Sequence, residues 1–588
     1  MKRISFPAIP FFLFLVNIAH SQKYDNLWIH TYPGQDTANP LAPPYPATYL
    51  SFNTSPPTAT YVSSLFFDDL TKTTISSRDG VPLFHSNGYS IFHLDGTVMN
   101  NGGGLSQVTF PASYPFGPPM PMTMMSLPRP EHEDDYYILY LEGGPDWYER
   151  RRLMLNLVIG ATGPQTGSVA YKNKLLFADG EWLEFFQATK HANGRDWWVV
   201  MSDADSVTHE RTFYSFFLGA DTAYLANTQL IDGYEPVPPV WQNWTWQRTF
   251  TPDGKYLVTL DIINGVRIHS FDRCAGLLGP LLTLPYQRSG LGGVAVSQNS
   301  RFLYVATSYE MFQYDLTADD IIATIDTIAV YDGFIDTFLG GMIPTVFGLL
   351  YLGPDGKIYN MTWGDRSINY ISKPNKKGAA CEVVQHGFAM PTFASGPPYY
   401  PNYRLGPLDG SPCDTLGLNN EPLADFWWFT DSTLTVEFSD NSSYEPSEWH
   451  WNFGDGGSTS QDTSPVHTFP AAGTYQVCLT VSNQYAADTV CKQVTVGVSK
   501  AHEVAALPQV QVFPNPFSDE FVVRLNSAWV ESRRFLLLDA LGRVVRDIPM
   551  EDIDTKVSLP YLPSGIYYCQ IWSNNNFLQT GKLVKMQK

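Results

Sequence analysis

The sequence predicts an all-β chain: a β-propeller of about seven blades, then two small β-sandwiches in series. Three observations predict it. The 588 residues include 45 glycines and 44 prolines, the punctuation of many turns. Only 16% are charged and 14% are aromatic, against the ~25% charged of average soluble chains. Strand–turn–strand units recur through the long N-terminal part, without the 3.6-residue periodicity of helical repeats.

The first element is a leader. Lys2 and Arg3 precede an apolar run from Ile4 to Ala19, and Ala19-His20-Ser21 offers a small-x-small cleavage site between Ser21 and Gln22. The run is short for a bilayer and contains Pro7 and Pro10, so it reads as a cleaved signal peptide over 1–21. No other segment reaches eighteen consecutive apolar residues, and no transmembrane segment is expected.

The propeller is expected over 22–412. Phe250 to Val258 leads through Pro252-Asp253-Gly254 into Val266 to Asp272. Val294 to Tyr304 turns at Asn299-Ser300 and leads into Met311 to Leu316, and Tyr351 to Tyr359 turns at Pro354-Asp355-Gly356. Weaker versions stand at Pro82 to Leu94, Tyr136 to Leu141 and Trp197 to Leu218. The turn anchors Asp196, Asp253, Asn299 and Asp355 are 57, 46 and 56 residues apart, a spacing that fits one four-stranded blade per interval. Leu83 to Gly88, His191 to Trp198, Phe271 to Cys274 and Asn402 to Gly406 also resemble propellers that precede other modules in exported proteins of Bacteroidetes. That resemblance implies architecture and no activity.

A linker over 413–424 leads to a sandwich over 425–498. Trp449, Trp451 and Phe453 alternate onto one strand face, Gly454-Asp455-Gly456-Gly457 turns the chain, and Tyr475, Val477, Leu479 and Val481 alternate again. About seven short strands fit an immunoglobulin-like sandwich. Trp451-Asn452-Phe453-Gly454-Asp455-Gly456, Pro465 to Phe469 and Ala472-Gly473-Thr474-Tyr475 together resemble a PKD domain, which implies a spacer or a carbohydrate- or protein-contacting accessory. Asp455 reads as a turn residue that holds backbone rather than as a catalytic acid.

A second linker, 499–508, precedes a small β-domain over 509–588. Turns at Asn515-Pro516 and Pro563-Ser564-Gly565 separate β-rich runs such as Phe521 to Leu525 and Phe535 to Leu538. Val512 to Phe517, Leu536 to Val545, Leu562 to Tyr568 and Gln579 to Lys585 occur in the order of the C-terminal sorting domain of the type IX secretion system of Bacteroidetes, which this tail closely resembles. The resemblance implies the type IX machinery as partner, and a secreted or outer-membrane surface location.

The six cysteines suit an oxidising compartment. Cys478 and Cys491 flank the turn at Asn483 to Ala487 symmetrically, so they should face each other across a hairpin and form a disulfide worth roughly 3 kcal/mol. Among Cys274, Cys381 and Cys413 at most one bridge fits, with the pair undetermined, and Cys569 reads as a buried small hydrophobe.

Compact catalytic signatures are absent: no His-Glu-x-x-His, Gly-x-Ser-x-Gly, phosphate loop or Cys-x-x-Cys occurs. Acidic residues outnumber basic ones 57 to 37, which argues against nucleic acid as a partner and leaves room for weak calcium binding. Glu131-His132-Glu133-Asp134-Asp135 could ligate a metal but reads better as a solvated loop. Asp203-Ala204-Asp205 offers two calcium oxygens without a third ligand nearby and reads as a hairpin turn. In His191 to Trp198, the Trp197–Trp198 pair reads as packing before a sugar platform. No catalytic, cofactor-binding or metal residue is therefore assigned. The expectation is a secreted or surface binding protein for a glycan or protein ligand. A polysaccharide lyase or hydrolase with dispersed carboxylates, and a structural component of the cell surface, stay open as alternatives.

Overall fold

The computed structural model describes residues 22–31, 45–64, 71–105, 123–143, 152–178, 183–204, 210–234, 246–261, 264–285, 292–338, 341–361, 365–394, 396–430, 433–497, 511–524, 533–539, 543–550, 554–573 and 576–586. Two compact units emerge, Met1–Ile335 with Pro344–Ser499, and Asp336–Ile343 with Lys500–Lys588. Apart from two single-turn 3-10 helices, every regular element among the described residues is a strand.

The larger unit starts with a three-stranded sheet over 27–64, continues with an eight-stranded sheet over 73–177, and adds four-stranded meanders over 183–232, 246–284, 292–330 and 349–394. Burial within a meander falls from first strand to last. Gly292–Val296 and Phe302–Thr307 are buried along their whole length, Glu310–Asp315 alternates in part, and Asp326–Val330 has no buried residue. Strands covered on both faces read as unbroken apolar runs, which explains Phe302-Leu303-Tyr304-Val305-Ala306.

The first strands lie beside one another in sequence, Leu183–Lys190 by Trp246–Phe250, then Gly292–Val296, then Leu349–Leu352. Among the described residues no backbone ladder joins these edges, and side chains take its place. Gln247 accepts from the N–H of Val294 at 2.9 Å and of Leu350 at 3.2 Å, and donates to the Leu350 carbonyl. Gln187 Nε2 donates to the Arg248 carbonyl at 3.3 Å. Gly293 permits the approach, because a Cβ there would stand 2.5 Å from Gly348 O and Leu350 N.

The propeller expectation is corrected by this topology. About seven separate four-stranded blades were expected, and the described residues show sheets of three, eight, four and two strands with no regular propeller repeat. The eight-stranded sheet forms because Ser168–Phe177 joins Val98–Gly103 in a parallel pair at Ser168 and Asn100. Asn101 Nδ2 bonds the Val169 carbonyl at 2.9 Å, Asn173 Nδ2 bonds Gly104 O at 3.0 Å, and Lys172 Nζ bonds Gly103 O. Its outer strands return to each other: Thr73 Oγ1 donates to Ser126 Oγ at 2.9 Å, so the sheet is nearly closed on itself.

After Ala394 the chain leaves the sheets and crosses their turns as a strap, residues 396–413. Arg404 forms a bidentate pair with Asp25 at 2.7 and 3.0 Å, Tyr403 Oη donates to Ser126 O at 2.8 Å, and Cys413 is bonded to Cys274. The following sandwich packs Phe426–Thr430, Thr435–Asp440 and Val466–Thr468 against Glu448–Asn452, Thr459–Ser460, Gly473–Ser482 and Ala487–Val496. Trp451 is buried at its centre with Phe438, Phe453, Phe469, Leu479 and Val494, and its Nε1 reaches Asp462 O at 2.9 Å. Cys478 pairs with Cys491 in the register of the hairpin and is bonded to it.

In the smaller unit, Gln511–Phe513, Glu520–Arg524 and Asp554–Ser558 form one sheet, and Val544–Met550, Arg533–Leu538, Gly565–Ser573 and Asn576–Lys585 form another. Phe517, Phe521, Phe535, Leu537, Val557 and Leu583 fill the space between them, with Cys569 buried in the same core.

Candidate functional site

The turn ends of the meanders, the strap and the edge of the sandwich enclose a cleft of about 750 Å³. Its wall is built from the repeats themselves. Asp253 Oδ1 accepts from Thr251 Oγ1 at 2.6 Å and the Lys255 N–H at 3.1 Å; Asn299 Oδ1 accepts from Ser297 Oγ at 2.7 Å and the Arg301 N–H at 3.2 Å. Asp355 repeats the device, accepting from the Lys357 N–H at 3.4 Å and from Tyr359 Oη at 2.8 Å. Asp196 differs in chemistry and agrees in place, held by Asn193 Nδ2 at 2.7 Å and Arg195 Nε at 2.8 Å. All four anchors sit in the first hairpin of a four-stranded sheet.

Strap residues close the cleft. Asn402 Nδ2 donates to Pro252 O at 2.7 Å, and Tyr351 Oη donates to Tyr399 Oη at 3.1 Å. Burial pushes both phenols well up, so neither ionises at neutral pH. Arg273 spends its guanidinium on the carbonyls of Lys190 at 3.0 Å, His191 at 3.2 Å and Gly406; burial lowers it to about 10, still a cation at neutral pH. From the sandwich side, Asn441 Nδ2 reaches Pro354 O at 3.3 Å and Asp425 Oδ2 at 2.7 Å, and Gln298 Nε2 reaches Asn441 O at 3.4 Å.

The acidic loop Glu131 to Asp135 lies at a second cleft of about 600 Å³. Three of its four acids are paired locally: Glu131 with Arg195, Glu133 with Arg78 at 3.0 Å, and Asp135 with Arg129 at 2.9 Å. Among the described residues no three His, Cys, Asp or Glu side chains converge as a metal site. Lys190 lines the same cleft, its Nζ 3.8 Å over the Trp197 ring and bonded to Arg195 O at 3.0 Å; burial lowers it to about 7.

Trp197 and Trp198 are both buried, their Nε1 atoms donating to Pro128 O at 3.0 Å and Arg273 O at 2.7 Å, so neither offers a face to a sugar. Gly194 turns with φ +75° under Pro407, whose backbone nitrogen a Cβ would meet at 2.4 Å. Asp203 lies within the strand Trp197–Ala204, paired with Leu183 and Thr212 rather than in the expected hairpin turn, and Asp205 lies outside the described residues, as does Ser21 of the expected cleavage point. Asp455 accepts from the Ser458 N–H at 3.3 Å and meets His467 Nε2 at 2.7 Å, the imidazole stacked on Phe453. Sequence reasoning missed Trp28, Tyr399, Arg404 and Asn441. The run Pro397-Pro398-Tyr399-Tyr400-Pro401-Asn402-Tyr403-Arg404, prolines excluding a ladder and aromatics demanding cover, was the available signal.

Comparison with known proteins agrees at the C-terminal end. The family model for the PKD domain matches residues 429–498, and that for the secretion system C-terminal sorting domain matches 511–586. The PKD1 domain of Vibrio anguillarum Epp is 30% identical over 14% of this chain and 99% of its own, with a TM-score of 0.13. The PKD1 domain of the Vibrio cholerae metalloprotease PrtV is 29% identical over 13% and 99%, with a TM-score of 0.13. A Lactobacillus plantarum protein is 10% identical over 63% of this chain and 98% of its own, with a TM-score of 0.37. No curated protein matches the chain. The chain thus carries a PKD domain and a sorting domain that directs type IX export, and it works in the secreted or surface-exposed space. Among the described residues no helix is long and apolar enough to cross a membrane.

Proposed function

We propose that this exported multidomain chain is a non-catalytic binding protein whose ligand, a glycan or a protein, enters the 750 Å³ cleft under the strap. One observation carries the reading: of the four acids lining the cleft, Asp25, Asp253, Asp272 and Glu445, the three aspartates are committed to structure, which leaves Glu445 as a single carboxylate rather than one of a pair. Asp25 is held by Arg404, Asp253 by Thr251 and Lys255, and Asp272 accepts the N–H groups of Cys274 at 2.8 Å and Ala275 at 3.1 Å. General acid–base hydrolysis needs two carboxylates facing the scissile bond, and these face guanidinium, ammonium, hydroxyl or backbone partners instead. The PKD domain acts as an accessory wall, because Asn441 to Pro446 line the same cleft. The leader to Ser21 is removed on export, leaving Gln22 first.

The test is a glycan and protein screen of the intact exported protein, recording retention and the mass of the retained molecule. Retention without a mass change is expected. Reproducible depolymerisation of a retained polysaccharide would make the protein an enzyme and end this reading.

A further inference from the structure

We infer that the cleft is built for a neutral carbohydrate, with Trp28 Nε1 as the donor and Asn441 Oδ1 as the acceptor that hold it; this rests on the binding reading above. Both side chains line the cleft and both are buried, 1% and 3% exposed. Among the described residues neither of these two atoms has a hydrogen-bond partner.

Their orientations are fixed. The Trp28 ring is wedged among Phe52, Tyr359 and Tyr351, with centroids at 4.8, 5.5 and 6.2 Å. Asn441 must turn its nitrogen toward Pro354 O and Asp425 Oδ2, since both only accept, and that leaves Oδ1 for a donor. Buried polar atoms in native proteins are nearly always satisfied. One orphan donor and one orphan acceptor in one cleft call for groups that do both, and a sugar hydroxyl does both.

Charge narrows the class. An acidic ligand needs available cations, yet Arg404 is held by Asp25, Lys255 by Asp253 at 3.2 Å, Arg273 by three carbonyls, and Arg248 by Phe185 O at 2.7 Å and Ser202 Oγ at 2.6 Å. The chain as a whole carries a formal −20, which repels polyanions. Tyr351 and Tyr399 supply apolar ring surface beside polar groups, the mixture that pyranose C–H faces and hydroxyls require.

The experiment titrates the intact protein with cellohexaose, xylohexaose, mannohexaose and laminarihexaose, with hexagalacturonate and with an unrelated hexapeptide. Calorimetry reads affinity, and the Trp28 indole N–H resonance reads the site. At least one neutral hexaose should bind and shift that resonance. Trp28→Phe and Asn441→Leu should each weaken binding about tenfold, the loss of one hydrogen bond, while Tyr224→Ser, on an exposed outer strand, should not. If either cleft variant fails to fold, the resonance shift in the native protein carries the test alone. Binding of hexagalacturonate or the peptide with a shifted indole resonance, and none by the neutral sugars, overturns the inference and leaves the binding cleft standing. Failure of every probe to move the resonance overturns the inference; if screen ligands also bind without moving it, the cleft reading falls too.

Discussion

The eight-stranded sheet over 73–177 and the four meanders over 183–394 face one problem, unpaired sheet edges at close quarters, and solve it differently. The meanders keep their edges apart and let Gln247 and Gln187 substitute for missing ladder bonds. The larger sheet fuses its halves through one parallel pairing and a set of asparagine and lysine bonds to backbone. The difference teaches that a repeat can be legible in its turns and break at its edges, because turns are local and edge pairing is not.

Acid should weaken both regions most. Each buries a neutral histidine: burial pushes His85 down to about 3 and His269 down to about 4, and His30 of the first sheet lies well below its usual value. The unfolded chain takes up those protons first, so stability is fully present above about pH 6.5 and declines as pH falls toward 4, by up to roughly 1.4 kcal/mol per pH unit for each histidine. Chemical denaturation at a series of pH values checks the slope. His269→Phe and His85→Phe should each flatten it, and a slope unchanged by both would contradict their buried neutral state.

Gln247→Leu tests the meander device. It strips the side-chain partner from two N–H groups and one carbonyl, a loss of about 3 kcal/mol visible as a lowered Tm. Asn101→Ala tests the fused sheet with a smaller loss, about 1–2 kcal/mol, from the bond to Val169 O and from a φ of +60° that alanine tolerates poorly. Equal effects would erase the contrast between the two edges. The least damage, about 0.5–1 kcal/mol, is expected from Asn299→Ala, which removes one turn clasp at the surface.

Local chemistry made part of this molecule readable. The Asp253, Asn299 and Asp355 clasps, the Trp451 sandwich and the Cys478–Cys491 hairpin all follow from residues within a few positions of one another or from strand parity. The pairing of Ser168 with Asn100, the Cys274–Cys413 bond across 139 residues, and the Arg404–Asp25 clamp depend on where distant segments meet. The cleft was invisible for the same reason. Trp28, Tyr351, Tyr399 and Asn441 share no motif, and only the fold makes them neighbours.

Hydrogen exchange with a retained ligand tests the central claim, that the strap-covered cleft is where this exported protein binds. Protection is predicted at 351–355, 398–404 and 441–444, the turn, strap and sandwich segments that line the cleft. Protection confined to 128–135 and 190–195 around the second cleft, with those three segments unchanged, would contradict it.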